Sequence, residues 1–228
     1  MDGLFDRNRD FNDSIIRNIV SLRESQDLFD DLVDAQDEHD ILIAAEMRIK
    51  SHAPPGMIQR GFHYSTAIEY PFKTEPFMAS RYGDGSYPVW YGALDLETTI
   101  YETAWHFKNE ILGIAAVDEA VIRERAVYYV DCKAVLIDIS EKGYEYPDLI
   151  ENDYGYCQQT GRRVQNEGHP GLLVPSARNR GGINAVIFRE TVLDNPVLHC
   201  YLSYFFDPNQ SEVRIERDPG TALTIISY

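Results

Sequence analysis

From about residue 57 onward the chain is written in short runs rich in Val, Ile, Tyr and Phe, among them YPVWYGAL, RAVYYVDC, AVLIDIS, NAVIF, VLHCYLSYFF and SEVRIER. Gly, Pro, Asn or Asp separates one run from the next. β-Branched and aromatic side chains suit a pleated, half-buried surface, and the separators are turn formers, so these runs predict strands. Two helical stretches interrupt them: LETTIYETAWHF, with Asp95 placed to cap it, and the polar run DYGYCQQTGRRVQNEG. The spacing is too irregular for repeated βαβ units. The expectation is an α+β domain, a largely antiparallel sheet with flanking helices.

The first 56 residues read differently. Ile15, Ile19, Leu22, Phe29 and Val33 recur near helical spacing after Asn12, Asp13 and Ser14, which can serve as caps. A second helical run, DILIAAEMRIK, stops before HAPPG, where Pro54 and Pro55 cannot donate backbone hydrogen bonds. Residues 1–56 are therefore expected to form an N-terminal helical arm, and residues 57–228 the main domain. With 228 residues, 44% of them apolar, one sizeable core plus such an appendage fits better than two full domains.

The formal charge of −16 argues against direct nucleic-acid binding, which needs cationic side chains to displace counterions from phosphate. Much of the acidity falls early, as in DLFDDLVDAQDEHD, either as a solvated helix face or as a docking surface for a basic partner. Charged residues in MDGLFDRNRD and the lack of any apolar run near the roughly 18 residues of a membrane span lead us to expect a cytoplasmic protein with no membrane partner. Cys132, Cys157 and Cys200 show no CxxC pairing and read as free thiols. His39, His52, His63, His106, His169 and His199 have no ligand-like spacing, so no metal site is expected. Signatures of a phosphate loop, a dinucleotide fingerprint, HExxH and a GxSxG elbow do not occur.

Two segments remain. In RYGDGSYPVWYGALDLETTIYE an arginine, Arg81, is followed after ten residues by Tyr91 and after eleven more by Glu102; LLVPSARNRGGINAVIF follows around Ser176. A fixed cation, a flat ring, a carboxylate and a hydroxyl suit gripping a nucleotide diphosphate and breaking a glycosidic bond. In these segments the chain resembles the RES domain family, whose members include toxins of toxin–antitoxin pairs. The matching pattern is Arg81 in a glycine-containing turn, a strand with Tyr91, and a helix entered through Thr99 to Glu102. QQTGRRVQNEGHPGLLVPSA and Asn184 complete it. Two departures stand out. The family's first-strand arginine has no counterpart in GFHYS, where His63 or Tyr64 takes its place as a candidate substrate contact, and Tyr82 and Gly83 replace a Trp-Asn pair.

The resemblance implies a fold similar to ADP-ribosyltransferases and an enzyme that consumes NAD, by phosphorolysis to nicotinamide and ADP-ribose 1''-phosphate or by hydrolysis. NAD enters as substrate, inorganic phosphate as candidate co-substrate, and no resident cofactor is called for. Alternatives are transfer of ADP-ribose to a macromolecule and a non-catalytic nucleotide-binding module. The implied partner is an Xre-type antitoxin, with a homo-oligomer also open. Nicotinamide leaves a pyridinium nitrogen as a neutral molecule, so grip and charge compensation matter more than an acid. Arg81 would fork onto phosphate oxygens and Tyr91 would lie against the nicotinamide or ribose. Glu102 would oppose positive charge at the anomeric carbon, while Ser176 would hold an incoming or substrate phosphate and Asn184 would orient it. His63, Tyr64 and Tyr82 complete the candidate substrate contacts. Each has a plainer competing reading: a surface ion pair for Arg81, packing for Tyr91, an exposed helix carboxylate for Glu102, a post-proline turn for Ser176. Arg178, Arg180 and Arg189 either focus an anion toward Ser176 or face solvent.

Overall fold

The computed structural model describes residues 3–21, 63–73, 75–113 and 119–228. Among the described residues eight strands form one sheet: β1 (Asn8–Val20), β2 (Trp90–Ala93), β3 (Val121–Asp138), β4 (Gly171–Pro175), β5 (Ile183–Ile187), β6 (Leu193–Asp207), β7 (Glu212–Asp218) and β8 (Thr221–Ser227). Their order is β1-β2-β5-β4-β3-β6-β7-β8, with β1 also pairing β3. That extra pairing joins β1, β2, β5, β4 and β3 in a ring, and β6, β7 and β8 extend from it as antiparallel strands. Every pairing is antiparallel except β3 with β4. The mixed architecture with flanking helices is the one expected.

The helices are α1 (Tyr70–Lys73), entered through a π-helical turn at Ser65–Glu69, then α2 (Leu96–Leu112) and α3 (Gly155–Asn166). Asp95 caps α2 as its sequence suggests, its carboxylate accepting from Thr98 N at 2.7 Å. No helix among the described residues is long and apolar enough to cross a membrane.

Three apolar clusters form the core. One takes residues from every strand of the ring, including Ile15, Trp90, Tyr128, Leu173 and Ile187, and packs against Ala67 and Ile68 of the π-helical turn. Because strand side chains alternate, the neighbours Val174 and Val186 belong to a second cluster, beneath α3, on the other face. The third cluster sets Ile100, Ala104 and Phe107 of α2 against Ile16, Val127 and the β6–β8 extension.

Three sequence expectations need correction. Residues 14–20 are not helical: Asn8–Val20 is a strand paired along its whole length with β3. The described part of GFHYS is no strand, since residues 63–64 are helical and lead directly into the π-helical turn, while residues 61–62 lie outside the described residues. RAVYYVDC and AVLIDIS are one continuous strand, β3, while β4 and β8 are additional. The second run of the expected arm, DILIAAEMRIK, and the HAPPG hinge lie outside the described residues.

Candidate active site

β1 and β2 touch through a single bridge, Ile16 to Ala93, and a cleft of about 310 Å³ lies over this seam, lined by residues that include Arg17, Arg81, Tyr91, Glu102, His106 and Asn184. Arg81, Tyr91 and Glu102, far apart along the chain, thus share one cavity.

Glu102 lies on the second turn of α2. Its Oε1 accepts three hydrogen bonds, from Ser176 Oγ at 2.6 Å, Asn184 Nδ2 at 2.8 Å and Ala177 N at 3.1 Å. Three donors leave that oxygen no lone pair for a proton or a ligand, so Oε2 is the oxygen available to the cleft. Ser176 is itself fully engaged. Besides donating to Glu102, its hydroxyl accepts from Asn179 N at 2.9 Å and Arg178 N at 3.2 Å, which occupies its one proton and both lone pairs. Ser176, read from sequence as a phosphate contact, is thus bonded to Glu102 in this structure, and Asn184 bonds the same oxygen from β5.

Arg81 is presented by a turn tied at several points. Tyr91 OH pairs with Ser80 Oγ at 2.8 Å and accepts from Tyr82 N at 2.8 Å, Gln158 Nε2 donates to Ser80 O at 3.0 Å, and Arg162 bonds Asp84. The Tyr91 hydroxyl therefore holds the arginine turn; burial raises its pKa far above the usual phenol value. The Arg81 guanidinium stacks on Tyr154 at 4.6 Å and donates through Nη1 to Glu151 O at 2.6 Å. Tyr82 borders the cleft with a wholly buried side chain, so what it offers there is mainly its backbone.

His63 and Tyr64 do not reach the cleft. His63 Nδ1 meets Tyr128 OH at 3.3 Å, and Tyr64 OH donates to Glu190 Oε1 at 3.2 Å, both against the cluster shared by the ring strands. The structure thus does not bring these two candidate substrate contacts together with Arg81, Tyr91 and Glu102.

What sequence reasoning missed is Arg17, on β1. Its guanidinium lies over Trp90 at 5.1 Å, Nη1 donates to the Tyr91 carbonyl, and the buried Nε has no hydrogen-bond partner among the described residues. Burial first, and nearby Arg125 second, push its pKa down to about 10, still charged at neutral pH. Beneath it Arg125 donates to Asn18 Oδ1 at 2.7 Å. The cleft is thus bordered by a buried cation, Arg17, in a chain of net charge −16. A strand reading of IIRNIV, with its β-branched density, would have put Arg17 in the sheet.

His106, one turn beyond Glu102, stands at the rim, edge-on to Trp105 at 5.0 Å. Partial desolvation lowers its pKa, and Glu102 opposes the shift. Among the described residues no group of His, Cys, Asp or Glu is placed to hold a metal ion.

The fold and cleft define a class: an α+β protein that sets guanidinium groups across from one fixed carboxylate. The RES domain model matches residues 46–207, and the chain belongs to the RES domain family. Among solved structures, it is similar to a chain of the M. tuberculosis MbcT–MbcA toxin–antitoxin complex, with TM-score 0.45 and 14% identity, covering 89% of this chain and 88% of that one. No curated protein matches it.

Proposed function

We propose that this chain is an NAD-degrading enzyme that cleaves the nicotinamide–ribose bond, by phosphorolysis or hydrolysis, and acts as the toxin of a toxin–antitoxin pair. The observation that carries the reading is the fixed carboxylate of Glu102 sharing one cleft with two guanidinium groups. Arg17 and Arg81 suit the diphosphate, since a guanidinium stays charged and forks onto phosphate oxygens. Tyr91 offers a ring face to the ribose or nicotinamide. Glu102 Oε2 lies free to bond a ribose hydroxyl and to oppose the charge that grows at the anomeric carbon as the bond breaks. Ser176 and Asn184 fix that carboxylate in advance, so no reorganisation is needed at the moment of reaction.

Family membership supports control by an Xre-type antitoxin and a fold related to ADP-ribosyltransferases. The test incubates the purified full chain with NAD, with and without inorganic phosphate, and follows nicotinamide release. Release is expected, and its dependence on phosphate separates the two acceptors. Glu102→Gln should cost about a hundredfold or more in kcat while the protein stays folded. A folded wild-type protein that releases no nicotinamide in either condition would overturn the reading.

A further inference from the structure

Besides Glu102, the cleft is lined by three further polar side chains, Asn18 of β1 and Thr99 and Thr103 of α2. They belong to one hydrogen-bond chain with a fixed direction. It starts at Arg125, a buried guanidinium that can only donate, which gives Nε to Asn18 Oδ1 at 2.7 Å and Nη2 to the Asn18 carbonyl at 2.9 Å. The Asn18 side chain is thereby oriented, its oxygen on Arg125 and its NH2 toward α2. Nδ2 donates to Tyr204 OH at 3.0 Å, and that phenol, kept neutral by burial, lies 3.0 Å from Thr103 Oγ1. Thr103 commits its own proton to the Thr99 carbonyl at 2.7 Å, so the phenol is the donor in that pair. Thr99 commits its proton to the Leu96 carbonyl at 2.7 Å.

What remains for a ligand is one donor beside two acceptors. The second N–H of Asn18 has only contacts of 3.4 Å, to Thr99 Oγ1 and Thr103 Oγ1, longer than a good hydrogen bond. The two hydroxyl oxygens, their protons already placed, can offer a ligand only lone pairs. An amide matches this pattern: its carbonyl takes the N–H and its NH2 serves the hydroxyl oxygens. A carboxylate does not, because its second oxygen would face those lone pairs, with the charge of Glu102 on the same helix adding repulsion. The position fits as well. Thr99 and Thr103 stand on either side of Glu102 in α2, and a base departing from an anomeric carbon has to lie near the carboxylate that serves that carbon.

We propose that Asn18, Thr99 and Thr103 form a carboxamide subsite that receives the amide of nicotinamide and makes the enzyme select NAD over its nicotinic acid counterpart. This rests on the reading of the cleft as an NAD site. Arg125 and Tyr204 are positioning residues, which hold the Asn18 N–H where the amide oxygen can take it. A site built for hydrogen bonds rejects an analogue that leaves its buried polar groups unpaired.

The experiment gives the full wild-type chain NAD or nicotinic acid adenine dinucleotide as substrate, and titrates it calorimetrically with free nicotinamide or free nicotinate. kcat/KM should favour NAD by about a hundredfold or more, and nicotinamide should bind about tenfold or more tightly than nicotinate. Asn18→Leu should lower kcat/KM for NAD by about tenfold. Thr103→Val leaves the fork from Arg125 to Asn18 in place. It should narrow the preference about tenfold, chiefly by raising activity on the nicotinic acid compound and nicotinate binding; a merely structural role would lower both substrates alike. Equal handling of the two dinucleotides and of the two free bases by wild type, or a preference that Thr103→Val leaves unchanged, overturns the inference even if NAD is cleaved. Should nicotinamide be preferred to nicotinate, and the preference depend on Thr103, while wild type cleaves no NAD, the subsite stands and the proposed enzymatic activity falls.

Discussion

At the scale of single residues, the cleft separates groups that meet a ligand from groups that aim them. Ser176 is of the second kind, so Ser176→Ala should lower kcat by about tenfold to a hundredfold by loosening Oε1 of Glu102, with little change in KM for phosphate. A phosphate KM that rose with kcat unchanged would show the hydroxyl touching the acceptor after all. Arg17 makes the opposite trade. A buried guanidinium without a carboxylate partner is a cost to the empty protein, and replacing such a group by an apolar one of similar length is often neutral or stabilising. Arg17→Met should therefore unfold at an equal or higher temperature, by up to about 2 kcal/mol, yet lose about tenfold or more in NAD affinity. Paired thermal denaturation and NAD titration would check this, and a large drop in stability would place Arg17 in the scaffold. At this scale Arg81, Tyr91, Glu102 and Asn184 were named from sequence because the family resemblance carries them, and the structure brings those four to one cleft, with Ser176 bonded to Glu102. Their hydrogen bonds could not be read there, since it takes the loop after β4 folding onto α2 to show that the serine serves the glutamate.

At the scale of elements, that same loop is built around close approach. A Cβ on Gly182 would stand 2.2 Å from Thr98 Oγ1, and Asn179 Nδ2 already bonds that hydroxyl at 2.9 Å. Gly182→Ala should push the loop off the N-terminal turn of α2, costing about 1–3 kcal/mol in stability and more in activity than in substrate affinity, because Ser176 moves with it. Retention of full kcat would mean the loop does not set the carboxylate. The capped helix α2 and strands β2, β5, β6 and β7 were legible from local pattern. β1 was not: Ile15 packs inside the ring while Ile16 packs under α2, so apolar residues sit side by side where a one-sided strand would alternate. With polar cap formers just ahead, that pattern matched a helix. The misreading hid Arg17 and left GFHYS to stand for the missing arginine.

At the scale of the whole molecule, acidity and burial pull apart. The chain has a net charge of −16, yet the guanidinium groups of Arg17 and Arg125 are buried, so cationic charge is held inside an acidic protein. The interior also holds many weak acids in their neutral form. Burial pushes Cys132 to about 12, and Tyr128 and Tyr87 to about 12, with Tyr82, Tyr91 and Tyr204 raised in the same direction. For a group whose folded pKa lies above its unfolded one, the unfolded chain gives up its proton first as pH rises. The stability it contributes is complete below the unfolded value and lost through the folded one. Here that window runs from the ordinary values of 9.0 for the thiol and 10.0 for the phenols up to about 12. Ionising several such groups at once works against the marginal stability of a domain. The protein should hold its fold to about pH 9 and then unfold cooperatively, tyrosinate absorbance rising together with the loss of circular dichroism. If most tyrosines ionised near pH 10 while the dichroism stayed intact, the phenols beneath the arginine turn would have to be open to water, and the packing that holds Arg81 over the cleft would have to be redrawn.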